Sequence, residues 1–219
     1  MKKTFLLLSC VSLLSLTDIV RADSTYLSNL SESTDGYESI TKLPSGVWVA
    51  QSFETGTAGG GYTLESVSLS MSEGSESDVP LKLYLYSGDR ATTKIGELLY
   101  EFTSTDSYDH TAGIKLWDAP DAASLGPNAK YWLILESDTE SGSYSWDYTS
   151  SSSASSLQNW SIPTTLTYAI YSSDEWTYND GRPQKFSVNA TAVPEPSVAM
   201  LVGLGTLAGL MFQGRRRAN

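Results

Sequence analysis

Between Asp23 and Val193 apolar side chains recur at every second position, and no stretch carries the i, i+3, i+4, i+7 stripe of a packed helix. Leu81, Leu83 and Leu85 form the cleanest run. Residues 47–53 and 131–135, and the sets Leu98/Tyr100/Phe102, Ile114/Leu116, Tyr144/Trp146/Tyr148, Leu166/Tyr168/Ile170 and Phe186/Val188, continue the series. Within 62–71 the phase slips: Tyr62 and Leu64 are out of step with Val67, Leu69 and Met71, which predicts a β-bulge near Glu65 and Ser66. Ser87-Gly88-Asp89 and Asp180-Gly181 read as turns. About nine short strands at this spacing predict an all-β domain, an antiparallel β-sandwich of jelly-roll type. The serine run 150–156 and the polar stretch 73–78 read as loops, the former mobile.

The charge of that segment bounds its partners. Of 25 acids only Asp18 and Glu195 lie outside residues 23–193, and eight of the 14 bases lie inside. Eight bases against 23 acids leave a net charge of −15, a field that repels phosphates and so excludes nucleic acid as a partner. The single cysteine, Cys10, precedes the segment, which therefore holds no disulfide, thiol nucleophile or thiolate metal site. The sequons at Asn29, Asn159 and Asn189 are expected by chance in a Ser/Thr-rich chain.

The two ends read as addresses. Lys2 and Lys3, the apolar run 5–16 and Val20-Arg21-Ala22 have the three regions of a secretory signal peptide, with cleavage between Ala22 and Asp23. A lipoprotein signal ending at Cys10 would leave residues 5–8 as its whole apolar core, below the usual ~7–15 residues. Export through the Sec translocon and signal peptidase follows. At the other end Val193-Pro194-Glu195-Pro196 precedes residues 197–214, which carry no charge, and then Arg215, Arg216 and Arg217. At about 1.5 Å per residue that apolar stretch spans roughly 27 Å as a helix, just under the ~30 Å hydrocarbon core. It predicts a transmembrane helix with the arginines cytoplasmic and the preceding domain outside. The predicted organisation is 1–22 signal peptide, 23–192 extracellular domain and 193–219 tail. The two prolines keep Glu195 out of any helix interior.

The order of these tail features resembles the PEP-CTERM sorting signal over residues 193–217. The resemblance implies that a membrane enzyme of the exosortase type reads Pro194-Glu195-Pro196 and removes the helix and basic end. A plain tail anchor with a Pro-rich stalk is the alternative. Within the domain, Ala50-Gln51-Ser52-Phe53, Thr55-Gly56 and residues 62–69 resemble the opening of choice-of-anchor domains. These are β-rich extracellular domains, and no catalytic residues transfer from them. Together the resemblances imply an exported Gram-negative surface or matrix protein, passing through the inner membrane, structural or adhesive in an exopolysaccharide layer. The chain would be an enzyme's substrate and not itself an enzyme.

Chemistry within the domain is sparse. His110, the one histidine, stands in a polar loop, and no Gly-x-Ser-x-Gly frames a nucleophile. Glu97 and Glu101 on one strand and Glu136 at a strand end are the acids that would serve a glycosidase, against the simpler account of surface solvation. Asp106 with Asp109, and Asp118 with Asp121, have the oxygen chemistry of calcium ligands without the EF-hand order, and solvated turns explain them equally. No cofactor is implied. Eight aromatics crowd residues 144–178, and alternation places Tyr144, Trp146 and Tyr148 on one face. Such a row either stacks on sugars, making the domain a carbohydrate-binding module, or forms part of the core.

Overall fold

The computed structural model describes residues 24–41, 47–72, 81–89, 94–104, 111–137 and 144–195. The signal peptide, its Ala22/Asp23 junction and the apolar tail lie outside them. All regular structure among the described residues is β. In chain order the strands are β1 (Ser24–Ser28), β2 (Gly36–Ile40), β3 (Trp48–Glu54), β4 (Tyr62–Ser72) and β5 (Leu81–Gly88). Then come β6 (Ile95–Glu101), β7 (Thr103–Ser104), β8 (Gly113–Asp118), β9 (Ser124–Leu125) and β10 (Lys130–Ser137). The last five are β11 (Tyr144–Tyr148), β12 (Ser155–Ser156), β13 (Tyr168–Ser172), β14 (Glu175–Asn179) and β15 (Phe186–Ala192).

These strands make two antiparallel sheets in a sandwich-like, all-β arrangement. One has the order β14-β13-β3-β10-β5-β6. The other runs β12-β1-β15-β4-β11-β2, with β8 and β9 also pairing β4 and β7 pairing β8. The core fills the space between them. Val49, Phe53, Leu83, Leu85, Leu133 and Leu135 face it from the first sheet, and Val67, Leu69, Trp117, Trp146, Phe186 and Val188 from the second. All twelve are fully buried. Each side chain of this size contributes about 1.5–3 kcal/mol by leaving water. Phe53 stacks on Trp160 at 5.8 Å and on Tyr131 at 5.6 Å, which ties a loop residue into the packing.

The predicted bulge in β4 is present. Asn189 pairs with Ser66 and Ala190 with Leu64, so Glu65 is the extra residue. It returns Tyr62 and Leu64 to the core face that Val67 and Leu69 already occupy.

Other expectations are corrected. Leu98 was expected on the face of Tyr100 and Phe102, but a register shift beside Tyr86 turns Leu98 outward, 52 % exposed, while Phe102 stays buried. In β8 the inward residue is Trp117, opposite Val67, and Ile114 is 61 % exposed. The larger indole wins the core position. Leu166 lies before β13 with φ 48°, and Gly88 remains paired within β5 rather than starting a turn. The strands β1, β2 and β14 were not foreseen. The serine run is tied down: β12 pairs with β1, and the Asp35 carboxylate accepts both the backbone N–H and the hydroxyl of Ser150 at 2.6 Å.

Candidate functional site: an aromatic outer face and the exit of the chain

Antiparallel partners point to the same side of a sheet, so the register of the six-stranded sheet defines rows on its outer face. In one row Trp176 on β14 pairs with Tyr171 on β13, which pairs with Trp48 on β3. Glu136 follows Leu135, the partner of Val49, and so stands next to Trp48 on β10. A second row reads Tyr178, Ala169, Ala50, Ile134, Tyr84 and Glu101. A third holds Ser52, Trp132, Tyr86 and Leu98.

The two alanines decide how the rings lie. Ala50 and Ala169 are too small to fill the middle row, and together with Trp132 and Ile134 they form a second, fully buried apolar cluster. Trp48, Tyr86, Ile95, Trp176 and Tyr178 pack over it, each half-buried. Tyr178 meets Trp132 edge-on at 5.7 Å, and the Lys130 ammonium sits 5.1 Å from the Trp132 ring centre. Burial holds the Lys130 amine below its usual range, against the pull of Glu54. Trp48 and Tyr171 stack at 5.2 Å with a 27° interplanar angle, and Tyr171 and Trp176 lie 5.1 Å apart at 56°. Beyond Trp48 the row ends in polar groups, Glu136 and its β5 partner Lys82, and from the neighbouring row the Tyr84 hydroxyl donates to Glu136 Oε1 at 2.9 Å. Burial, helped by the Glu136 charge, pushes the Tyr86 phenol upward, so its hydroxyl stays a donor.

The predicted sugar platform is elsewhere and does not fit that role. Tyr144 is 5 % exposed and Trp146 0 %, both within the core between the sheets. The Trp146 indole N–H donates to the Lys185 carbonyl at 2.9 Å, so the ring is fully engaged in the interior. Tyr148 is half-buried with the Arg182 guanidinium 5.3 Å from its ring centre. The opposite side of β11 is polar but not solvated: Asp147 is 6 % exposed and accepts hydroxyl hydrogen bonds from Ser70 and Ser72.

The other sequence candidates scatter. Asp118 ends β8 and Asp121 occupies the following turn, both exposed; among the described residues no three His, Cys, Asp or Glu side chains group as a metal site. Asp106, Asp109 and His110 lie outside the described residues. Glu97 and Glu101 are exposed on β6, and only Glu101 shares the outer face with Glu136. The motif Ala50-Gln51-Ser52-Phe53 with Thr55 works structurally. Gln51, fully buried, donates to the carbonyls of Ser52 and Thr167 at 2.7 and 3.0 Å and accepts the Gln184 N–H at 2.6 Å. Ser52 donates to Leu166 and Thr167 carbonyls, and Thr55 to that of Gly126 at 2.7 Å.

The chain leaves the domain across a glycine loop. The Val193 N–H donates to the Gly61 carbonyl at 2.9 Å. A Cβ on Gly60 would overlap the Val193 carbonyl oxygen, and one on Gly59 would overlap Glu195 Oε1. Gly61 has φ 77°, a conformation that favours glycine. Three glycines thus let Val193 lie half-buried on the loop while Pro194 and Glu195 stay exposed. Pro196 and Arg215, Arg216 and Arg217 lie outside the described residues. No family model matches this chain, and no curated protein matches it either.

Proposed function

We propose that this is an exported bacterial surface or extracellular-matrix protein, sorted by an exosortase-type membrane enzyme and structural or adhesive in an exopolysaccharide layer. On this reading the chain has a signal peptide over 1–22, a jelly-roll-like domain over 23–192 and a sorting tail with a transmembrane helix over 193–219. The domain is the processing enzyme's substrate and carries no activity of its own. The observation that supports it best is the exit geometry. The last strand delivers the chain onto the Gly59–Gly60–Gly61 loop, where Pro194 and Glu195 are exposed. A reading enzyme at the membrane face meets an extended, charged, proline-flanked segment there rather than a helix or a buried strand. The cysteine-free composition and the net charge of −15 suit a domain held outside the cell.

Intact mass of the protein from the extracellular fraction of an exosortase-bearing host tests the reading. The expected species begins at Asp23 and lacks Arg215, Arg216 and Arg217 together with the apolar stretch. A full-length tail in the mature protein, held in the inner membrane, would replace sorting with a plain anchor. Against the alternative, a carbohydrate-binding module on Tyr144, Trp146 and Tyr148, stands the burial of Tyr144 and Trp146 in the core.

A further inference from the structure

We infer that the row Trp176, Tyr171 and Trp48, ending at Glu136 and Lys82 with Tyr84 beside it, binds an uncharged pyranose polysaccharide on the outer face of the six-stranded sheet. In naming a ligand class this deepens the matrix reading and rests on it, while the site itself is fixed by the register of β14, β13, β3, β10 and β5. The core between the sheets is closed without these rings; Trp48 and Trp176 cover the second cluster of Ala50, Trp132, Ile134 and Ala169 and still keep part of their surface open. Three large rings thus stand half-buried in a line on the exterior. Contiguous apolar surface of this kind marks a binding face.

The chemistry of the row selects its occupant. Ring centres step by 5.2 and 5.1 Å across three adjacent strands, so a linear polymer laid across the strands meets a ring at each step. Pyranose rings present C–H groups that pack against aromatic surface, and hydroxyl rims that need partners. The phenols of Tyr171 and Tyr84 and the Glu136 carboxylate stand in or beside the row to meet them. The row itself is balanced, since Lys82 on β5 stands opposite Glu136, while the surrounding segment holds 23 acids against eight bases. Uronate or sulfate chains are therefore repelled, and an uncharged chain is the electrostatic match.

The test uses protein exported by its own host. It is co-sedimented with insoluble cellulose and chitin as neutral probes, and with alginate and chitosan gels as charged ones. Retention on a neutral polymer, insensitive to salt, is expected. It should fall by about tenfold or more in a Trp48→Ala/Trp176→Ala double variant and stay unchanged in Leu157→Ala, an exposed position elsewhere. Because the double variant disturbs the outer apolar cluster, the unaltered protein is also titrated with cellohexaose and chitohexaose. Bound sugar should shield Trp48 and Trp176 from oxidation by N-bromosuccinimide. No retention on either neutral polymer overturns the proposal. So does a folded double variant that binds as before, or a preference for alginate or chitosan. A double variant that alters only the oligomeric state by light scattering would make the face a self-association surface instead. None of these outcomes changes the mass of the mature tail, so failure here is distinguishable from failure of the sorting reading.

Discussion

The phenolic oxygen of Tyr178, on one edge strand of the six-stranded sheet, accepts the backbone N–H of Ile95 on the opposite edge strand at 3.2 Å. Five strand spacings of about 4.7–4.9 Å would separate the edges of a flat sheet by roughly 24 Å. A single side chain therefore bridges them only because this end of the outer face is concave. Small side chains at Ala50 and Ala169 let the ring lie across the middle of the sheet.

Tyr178→Phe keeps the ring against Trp132 but leaves the half-buried Ile95 N–H without its acceptor. The expected loss is about 1 kcal/mol, with a melting point lower by about 2–4 °C for a domain of this size. Tyr178→Ala, which also uncovers Trp132, should lose more. Urea and thermal melts followed by tryptophan fluorescence measure both; equal stability of the phenylalanine variant and the parent would show the bridge contributes nothing.

Trp146 belongs to the interior. Trp146→Ala should destabilise by about 3–5 kcal/mol through the cavity and the lost bond to the Lys185 carbonyl. Trp146→Phe, which keeps most of the volume, should lose less and leave polysaccharide retention unchanged in protein that remains folded. Altered retention by the phenylalanine variant would return the ligand site to β11.

Gln51→Leu strips one side chain from three backbone partners. The Gln184 N–H loses its acceptor in a buried place, at about 1–3 kcal/mol, while the Thr167 carbonyl keeps the N–H and hydroxyl of Ser52. Chemical denaturation should show a lower midpoint with an unchanged slope; a neutral result would mean that water or a neighbouring group takes over these bonds.

Asp35 and Glu38 oppose each other in their pH dependence. Hydrogen bonds from Ser150 hold the Asp35 carboxyl below its ordinary 3.8. Its contribution is complete above that value and disappears as pH falls through the lowered one. Burial pushes Glu38 above 4.5, with the Arg182 charge pulling the other way. The folded state then holds its proton longer than the unfolded chain does. Stability from this group therefore declines as pH rises from 4.5 through the raised value. Asp35→Asn should flatten the acid limb of a stability profile. Glu38→Gln should remove the decline above 4.5 and raise stability near neutral pH. Denaturation midpoints measured from about pH 3 to pH 8 decide both, and opposite signs would overturn the assignment.

A side chain at Gly60 should free the tail. Gly59→Val displaces only the exposed Glu195 side chain, whereas Gly60→Val forces the loop away from the Val193 carbonyl. Hydrogen exchange by mass spectrometry on the full chain should then show faster exchange at the Val193 amide in Gly60→Val, with Val188 in the core protected as before. Unchanged protection at Val193 would mean that the segment holds its place without Gly60.

The positions of β3, β4, β5, β10 and β15, the core-facing set of β5 and the bulge at Glu65 were legible in the chain because alternation is a property of one strand. A phase slip between Leu64 and Val67 has a single simple remedy. The outer aromatic face was not read, although a signal for it existed. Trp48, Tyr84, Tyr86 and Trp132 occupy the positions that alternate with the core set, so these strands are apolar or aromatic on both sides. Which of those rings become neighbours depends on strand order and register, and these join residues far apart in the chain, such as Trp48 with Tyr171. Tertiary structure alone decided that Trp146 is core while Trp176 is surface. Two identical indoles on similar short strands receive opposite fates according to whether the second sheet covers them. Periodicity reports two faces of a strand, but only packing determines which of them water reaches.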